Sequence, residues 1–153
     1  MLTLKMPREL RERLEVELRR AGSRELGGVL MAEHVGMNEF ALRDLTIHRR
    51  GSFASFVRRI EEALDRLKSF FKANSNNYRR FNYIGEWHSH PSFVTEPSPH
   101  DDASMREIAL DPDVGANFVV LLVVKLEDSS RFAASLHTYL PDGSKHRSTL
   151  EMI

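Results

Sequence analysis

From Phe118 to Val124 the chain runs through seven consecutive apolar residues, Phe118, Val119, Val120, Leu121, Leu122, Val123 and Val124, opened by Asn117. A strand that alternates apolar and polar residues can leave one face in water, but a continuous apolar run cannot. It predicts a central strand buried on both faces. The fold must therefore supply a layer on each side of that strand, which points to an α/β or α+β architecture.

The rest of the chain supplies those layers. A charged amphipathic helix is predicted from Pro7 to about Ala21, with Leu10, Leu14 and Leu18 on one face and Gly22 ending it. Ser23 to Ala32 reads as a turn feeding an apolar strand, in which Gly27 and Gly28 allow a neighbouring backbone to pass close. Glu39 to His48 is the next strand. Phe40, Leu42, Leu45 and Ile47 form its apolar face, and a bulge near Arg43 and Asp44 is needed to keep them in phase. Gly51 and Ser52 introduce a long helix with Phe53, Phe56, Val57, Ile60, Leu64, Leu67 and Phe71 as its core stripe and Arg58, Arg59, Glu61 and Glu62 facing out. Asn74 to Asn77 ends this helix in a polar loop predicted to be mobile. Arg131 to Leu140 is an alternating strand, Pro141 to Gly143 a turn, and the tail from Lys145 to Ile153 a short edge strand. The expectation is one domain, residues 1–153, with a mainly antiparallel mixed sheet flanked by helices.

Between the long helix and the central strand lies the stretch richest in chemistry, Gly85 to Asp101. Phe81, Asn82, Tyr83 and Ile84 lead into it as a strand, so His88 and His90, two apart, project from one face. Two imidazoles on one face can hold a borderline-soft ion, and Asp101 is the candidate third ligand, leaving a fourth tetrahedral position for water. Ser98 and Pro99 read as the N-cap and first position of a helix continuing through Ala103, Met105, Ile108 and Ala109. A capping serine followed by an acid in the first turn also needs no metal at all. Glu86 shares the face of the histidines and is a candidate either for general base or for a partner that orients an imidazole. Trp87 points to the opposite face as a core anchor, while His34 and His48, at or near strand ends, read as surface or satisfied histidines and His137 and His146 carry no spacing signal.

Taken as one pattern, His88, Ser89, His90 and Pro91 followed by Ser98 and Asp101 resemble the JAB/MPN domain with a JAMM motif, a family of zinc-dependent isopeptidases. A chance match to such a pattern is on the order of one in several thousand for a chain of this length. Glu25, set before the two glycines, resembles the family's upstream glutamate, and Ala32 departs from a second small glycine found in many members. The resemblance covers essentially the whole chain and implies the MPN fold. It also implies one zinc ion on His88, His90 and Asp101, with Glu25 as general base and Ser98 as donor to the oxyanion. The implied substrate is an amide or isopeptide bond after the C-terminal glycine of a ubiquitin-like protein. Gly85 to Pro91 looks like the bacterial members encoded beside ubiquitin-activating and conjugating-type enzymes in antiviral operons, which would be further partners. A sulfur-carrier-processing peptidase, a small-amide hydrolase and a non-catalytic MPN scaffold are the alternatives.

Composition removes other classes. Lys plus Arg and Asp plus Glu both number 22, so no excess positive charge is available to hold a nucleic-acid backbone. No cysteine means no disulfide or thiolate chemistry. No apolar run reaches membrane-spanning length, and Met1 to Lys5 lacks the pattern of a secretory signal; the expectation is a cytoplasmic protein without membrane or nucleic-acid partners.

Overall fold

A computed structural model describes residues 1–49, 56–128 and 130–153, without the side chains of 56–58. The apolar run forms β6 (Val119–Glu127), whose residues from Val119 to Val124 are all buried. It pairs in parallel with β5 (Phe81–Ser89) and antiparallel with β7 (Arg131–Tyr139), as a central strand must. From β5 the sheet continues through β2 (Leu26–Gly36) to β3 (Glu39–Leu45) and the two-residue β4 (His48–Arg49). From β7 it continues through β8 (Lys145–Met152) to β1 (Thr3–Met6). Because β1 also pairs with β3, the ladder of pairings closes on itself, with β4 outside the ring. Closure gives the sheet an inside and an outside.

Three helices cover it among the described residues. Helix α1 (Arg8–Ala21) lays Leu14 and Leu18 on the inner core with Leu4, Met6, Leu30, Leu42, Trp87 and Leu122, and Gly22 ends it with φ 60°. Outside, α2 (Phe56–Ala73) packs Ala63, Leu67 and Phe70 on Val29 and Met31 of β2, and α3 (Pro99–Leu110) packs Met105, Ile108 and Ala109 on Val119, Leu121 and Val123 of β6. The result is a single domain with a mixed, mainly antiparallel sheet flanked by helices. No helix among the described residues is long and apolar enough to cross a membrane.

Several expectations need correction. The tail is not a free edge, because the first half of β8 pairs with β7 and its second half with β1, a strand whose short alternation of Leu4 and Met6 went unread. Helix α2 is rotated relative to the expected stripe: Leu64 is exposed, Ala63 and Phe70 point in, and Arg59 faces the protein rather than solvent. Gly51, Ser52 and Phe53 lie outside the described residues, as do the side chains of Phe56, Val57 and Arg58. As expected, α2 ends before Asn74 to Asn77, which form a hydrogen-bonded turn with Ser75 and Asn76 at φ 57° and 53° and Asn76 N–H donating to Phe71 O at 2.8 Å. The β3 bulge falls where the apolar phase required it: Ala32 faces Leu42 and Met31 faces Asp44, so Arg43 is the extra residue.

Candidate functional site

β5 lies between β2, covered by α2, and β6, covered by α3, so its outer face opens into the crease between the two helices. Gly85 decides which side chains enter that crease. Its φ is 153°, and a Cβ there would come 2.0 Å from Val120 O, so only glycine fits. Ile84 and Trp87, three apart, both join the inner core, which shows that the alternation slips at Gly85. Beyond the slip, Glu86, His88 and His90 face outward together, while Trp87 is fully buried inside and donates from Nε1 to Thr46 O at 2.7 Å. That bond depends on Gly28, where a Cβ would lie 1.8 Å from the same carbonyl.

The connection from β5 to β6 runs through α3, and this helix returns its N-terminus over the histidines. Ser98 Oγ accepts from Asp101 N–H at 3.1 Å, and Asp101 Oδ2 accepts from Ser98 N–H at 3.0 Å, a reciprocal capping box that locks the first turn. Asp101 is thereby held between the imidazoles, with Oδ1 3.1 Å from His88 Nδ1 and Oδ2 3.0 Å from His90 Nε2. On the far side of His88, Nε2 lies 3.2 Å from Glu86 Oε1, and Glu86 Oε2 accepts from Arg59 Nε at 2.6 Å. His90 is fixed by Val94 O, 3.0 Å from its Nδ1, and by the Phe93 ring at a centroid distance of 4.5 Å.

The sequence motif and the fold therefore agree on one cluster: His88, His90, Ser98 and Asp101 meet. Glu25 lies outside these hydrogen bonds and is exposed in the turn before β2, close enough for its charge to act on His90. Leu26 N–H donates to Ser89 Oγ at 2.8 Å, which ties that turn to the histidine strand. Arg59 and Ser89 are the members that sequence reading missed. A charged helical position flanked by Arg58, Glu61 and Glu62 gives no sequence signal of facing a buried carboxylate, and Ser89 projects from the opposite side of β5.

Charge in the cluster is strongly biased. Burial opposes ionising Asp101, yet its bonds to His88 and His90 hold its carboxyl far below the usual carboxylate range. Burial likewise opposes charge on Glu86, but His88 and Arg59 keep it ionised below its ordinary pKa. Burial also opposes protonating His90, and Asp101, Val94 O and the charge of Glu25 outweigh it, so its pKa is raised. The chemistry of the donor set, two imidazoles and an ionised carboxylate, suits a zinc ion. Among the described residues no group of three or more His, Cys, Asp or Glu is arranged to hold a metal as it stands, and His88 and His90 each bond Asp101 directly.

The family model for prokaryotic homologs of the JAB domain matches residues 7–136 of the chain. No curated protein matches it by sequence. Among solved structures, a protein of Desulfitobacterium hafniense superposes with a TM-score of 0.70 at 17% identity, covering 98% of this chain and 92% of its own. One of Salinibacter ruber superposes with a TM-score of 0.57 at 21% identity, covering 97% and 91%. Both likenesses speak for the fold alone.

Proposed function

Since the chain belongs to the prokaryotic homologs of the JAB domain, we propose that it is a zinc-dependent peptidase cleaving the amide or isopeptide bond after the C-terminal glycine of a ubiquitin-like protein. The observation that carries this reading is the convergence of His88, His90 and Asp101 at 3.0–3.1 Å under the Ser98 cap, at the C-terminal end of β5.

His88, His90 and Asp101 would hold the ion. Bound there, zinc would supply Lewis acidity and would lower the pKa of a water to about 7. The remaining chemistry belongs to the chain. Glu25, exposed beside the histidine strand, takes the proton of the attacking water and hands it to the leaving amine. Ser98 Oγ already accepts the Asp101 N–H, which leaves its own hydroxyl proton to donate to the developing oxyanion. Glu86 is not the base in this scheme, because both of its oxygens are committed, one to Arg59 and one to His88. Its role is to orient His88. We place the activity in the cytoplasm, in deconjugation or precursor maturation within a bacterial ubiquitin-like pathway of the antiviral type.

The rival is an interaction scaffold, favoured by the absence, among the described residues, of a group arranged to hold a metal. Elemental analysis of the purified protein beside a His88→Ala variant separates the two. About one zinc per chain, lost in the variant with the fold intact, supports the peptidase, and Glu25→Gln should then bind metal normally while losing cleavage. A wild-type protein that takes up no zinc after reconstitution refutes it.

A further inference from the structure

Next to the cluster, on the side of α1, a groove starts at Ser89 and Pro91, the two residues flanking His90, and runs over a floor of Leu18 and Leu126. Its rim carries Arg19, Arg24 and Lys125, and among the described residues no acidic one lines it. Where cations gather elsewhere, several share or face a carboxylate: Arg13 and Arg66 meet at Asp44, Arg43 and Arg80 at Glu33, and Lys145 and Arg147 lie on Asp102 and Glu96. The groove differs. Lys125 Nζ donates to Phe93 O at 3.2 Å, Arg24 donates to Ala21 O and Arg20 O at 3.2 Å, and Arg19 reaches Glu15 only at 3.9 Å. Carbonyl oxygens satisfy the donors but leave most of the charge uncompensated.

From this we infer that the groove receives an acidic segment of the protein substrate, with an apolar side chain seated on Leu18 and Leu126 and its carboxylates on Arg19, Arg24 and Lys125. This selectivity rests on the peptidase reading and sharpens it: among ubiquitin-like proteins, the preferred ones carry negative charge close to the scissile glycine. Three exposed charge pairs together amount to about a tenfold preference at low salt, and screening removes most of it at about 0.5 M salt.

The test uses two short fluorescein-labelled peptides ending in glycine-glycine, one rich in glutamate and leucine, the other its twin with glutamine in place of glutamate. Fluorescence anisotropy should show the acidic peptide binding the protein about tenfold more tightly than its twin, with the difference closing in an Arg19→Gln/Lys125→Gln variant. Equal binding of the two peptides by the wild type overturns the inference, as does a preference that persists in the folded variant. Should the variant fail to fold, a salt titration of the wild type decides, since a preference unchanged at about 0.5 M salt also overturns it. The same preparations are analysed for zinc. A metal-free wild type counts against the peptidase reading, whereas a zinc-loaded wild type without charge preference counts against the groove alone.

Discussion

Replacing Arg59 with methionine tests the buried chain of contacts behind His88. Arg59 and Glu86 keep only 15% and 2% of their side-chain surface exposed, and their bond is 2.6 Å long. Removing one partner of a buried ion pair usually costs 3–5 kcal/mol, because the other charge is left without compensation. Glu86 keeps its contact with His88 at 3.2 Å, so the expected loss is about 3 kcal/mol, the low end of that range. For a domain of this size that lowers the thermal midpoint by roughly 6–12 °C. Urea unfolding measures the loss directly, and a Glu86→Gln/Arg59→Met double variant should recover most of it by removing the stranded charge. The pH dependence carries a sign. In the wild type Glu86 has a lowered pKa, so its contribution is present above the unfolded value near 4.5 and is lost as pH falls through the folded value. Without Arg59, burial dominates and the folded pKa rises. The variant's Glu86 then favours the folded state at low pH and opposes it as pH rises, and the gap between the two proteins narrows toward pH 4. A loss below about 1 kcal/mol, or one equally large at pH 4 and pH 7, would refute the reasoning.

Gly85→Ala should destabilise by more than about 3 kcal/mol, since the new Cβ meets Val120 O at 2.0 Å and φ is 153°; a thermal melt followed by circular dichroism checks it, and a near-native midpoint contradicts the proposed slip in β5. Ser98→Ala removes the cap of α3 at a cost of about 1 kcal/mol, while loss of the oxyanion donor should lower kcat by about 10²–10³. A kcat unchanged in the folded variant would confine Ser98 to capping. Zinc added at about a hundredfold over its Kd should stabilise the wild type by ~2.7 kcal/mol in calorimetry, and His88→Ala or a chelator should abolish that gain.

Local features could be read from the residues alone because their causes are local. The α3 start follows from Ser98, Pro99 and Asp101 within one turn. The burial of β6 follows from its composition, and the β3 bulge from the phase of Phe40, Leu42, Leu45 and Ile47. The motif likewise marked His88, His90, Ser98 and Asp101 by spacing, and these four do meet. The rotation of α2 could not be read this way. Leu64 and Phe70 are both apolar, and which of them turns inward depends on the strand beneath the helix.

By itself, then, the order of residues determined the central strand, the helix that carries Asp101 and the pairing of the two histidines on one face, since each rests on periodicity or capping over a few neighbouring positions. Only the tertiary structure decided that β1 and β8 close the sheet into a ring, that Arg59 reaches Glu86 across 27 residues of chain, and that Lys125 and the end of α1 leave a cationic groove beside the site. These depend on which distant segments are brought together when the chain buries its apolar surface, and no short window of sequence contains both members of such a contact.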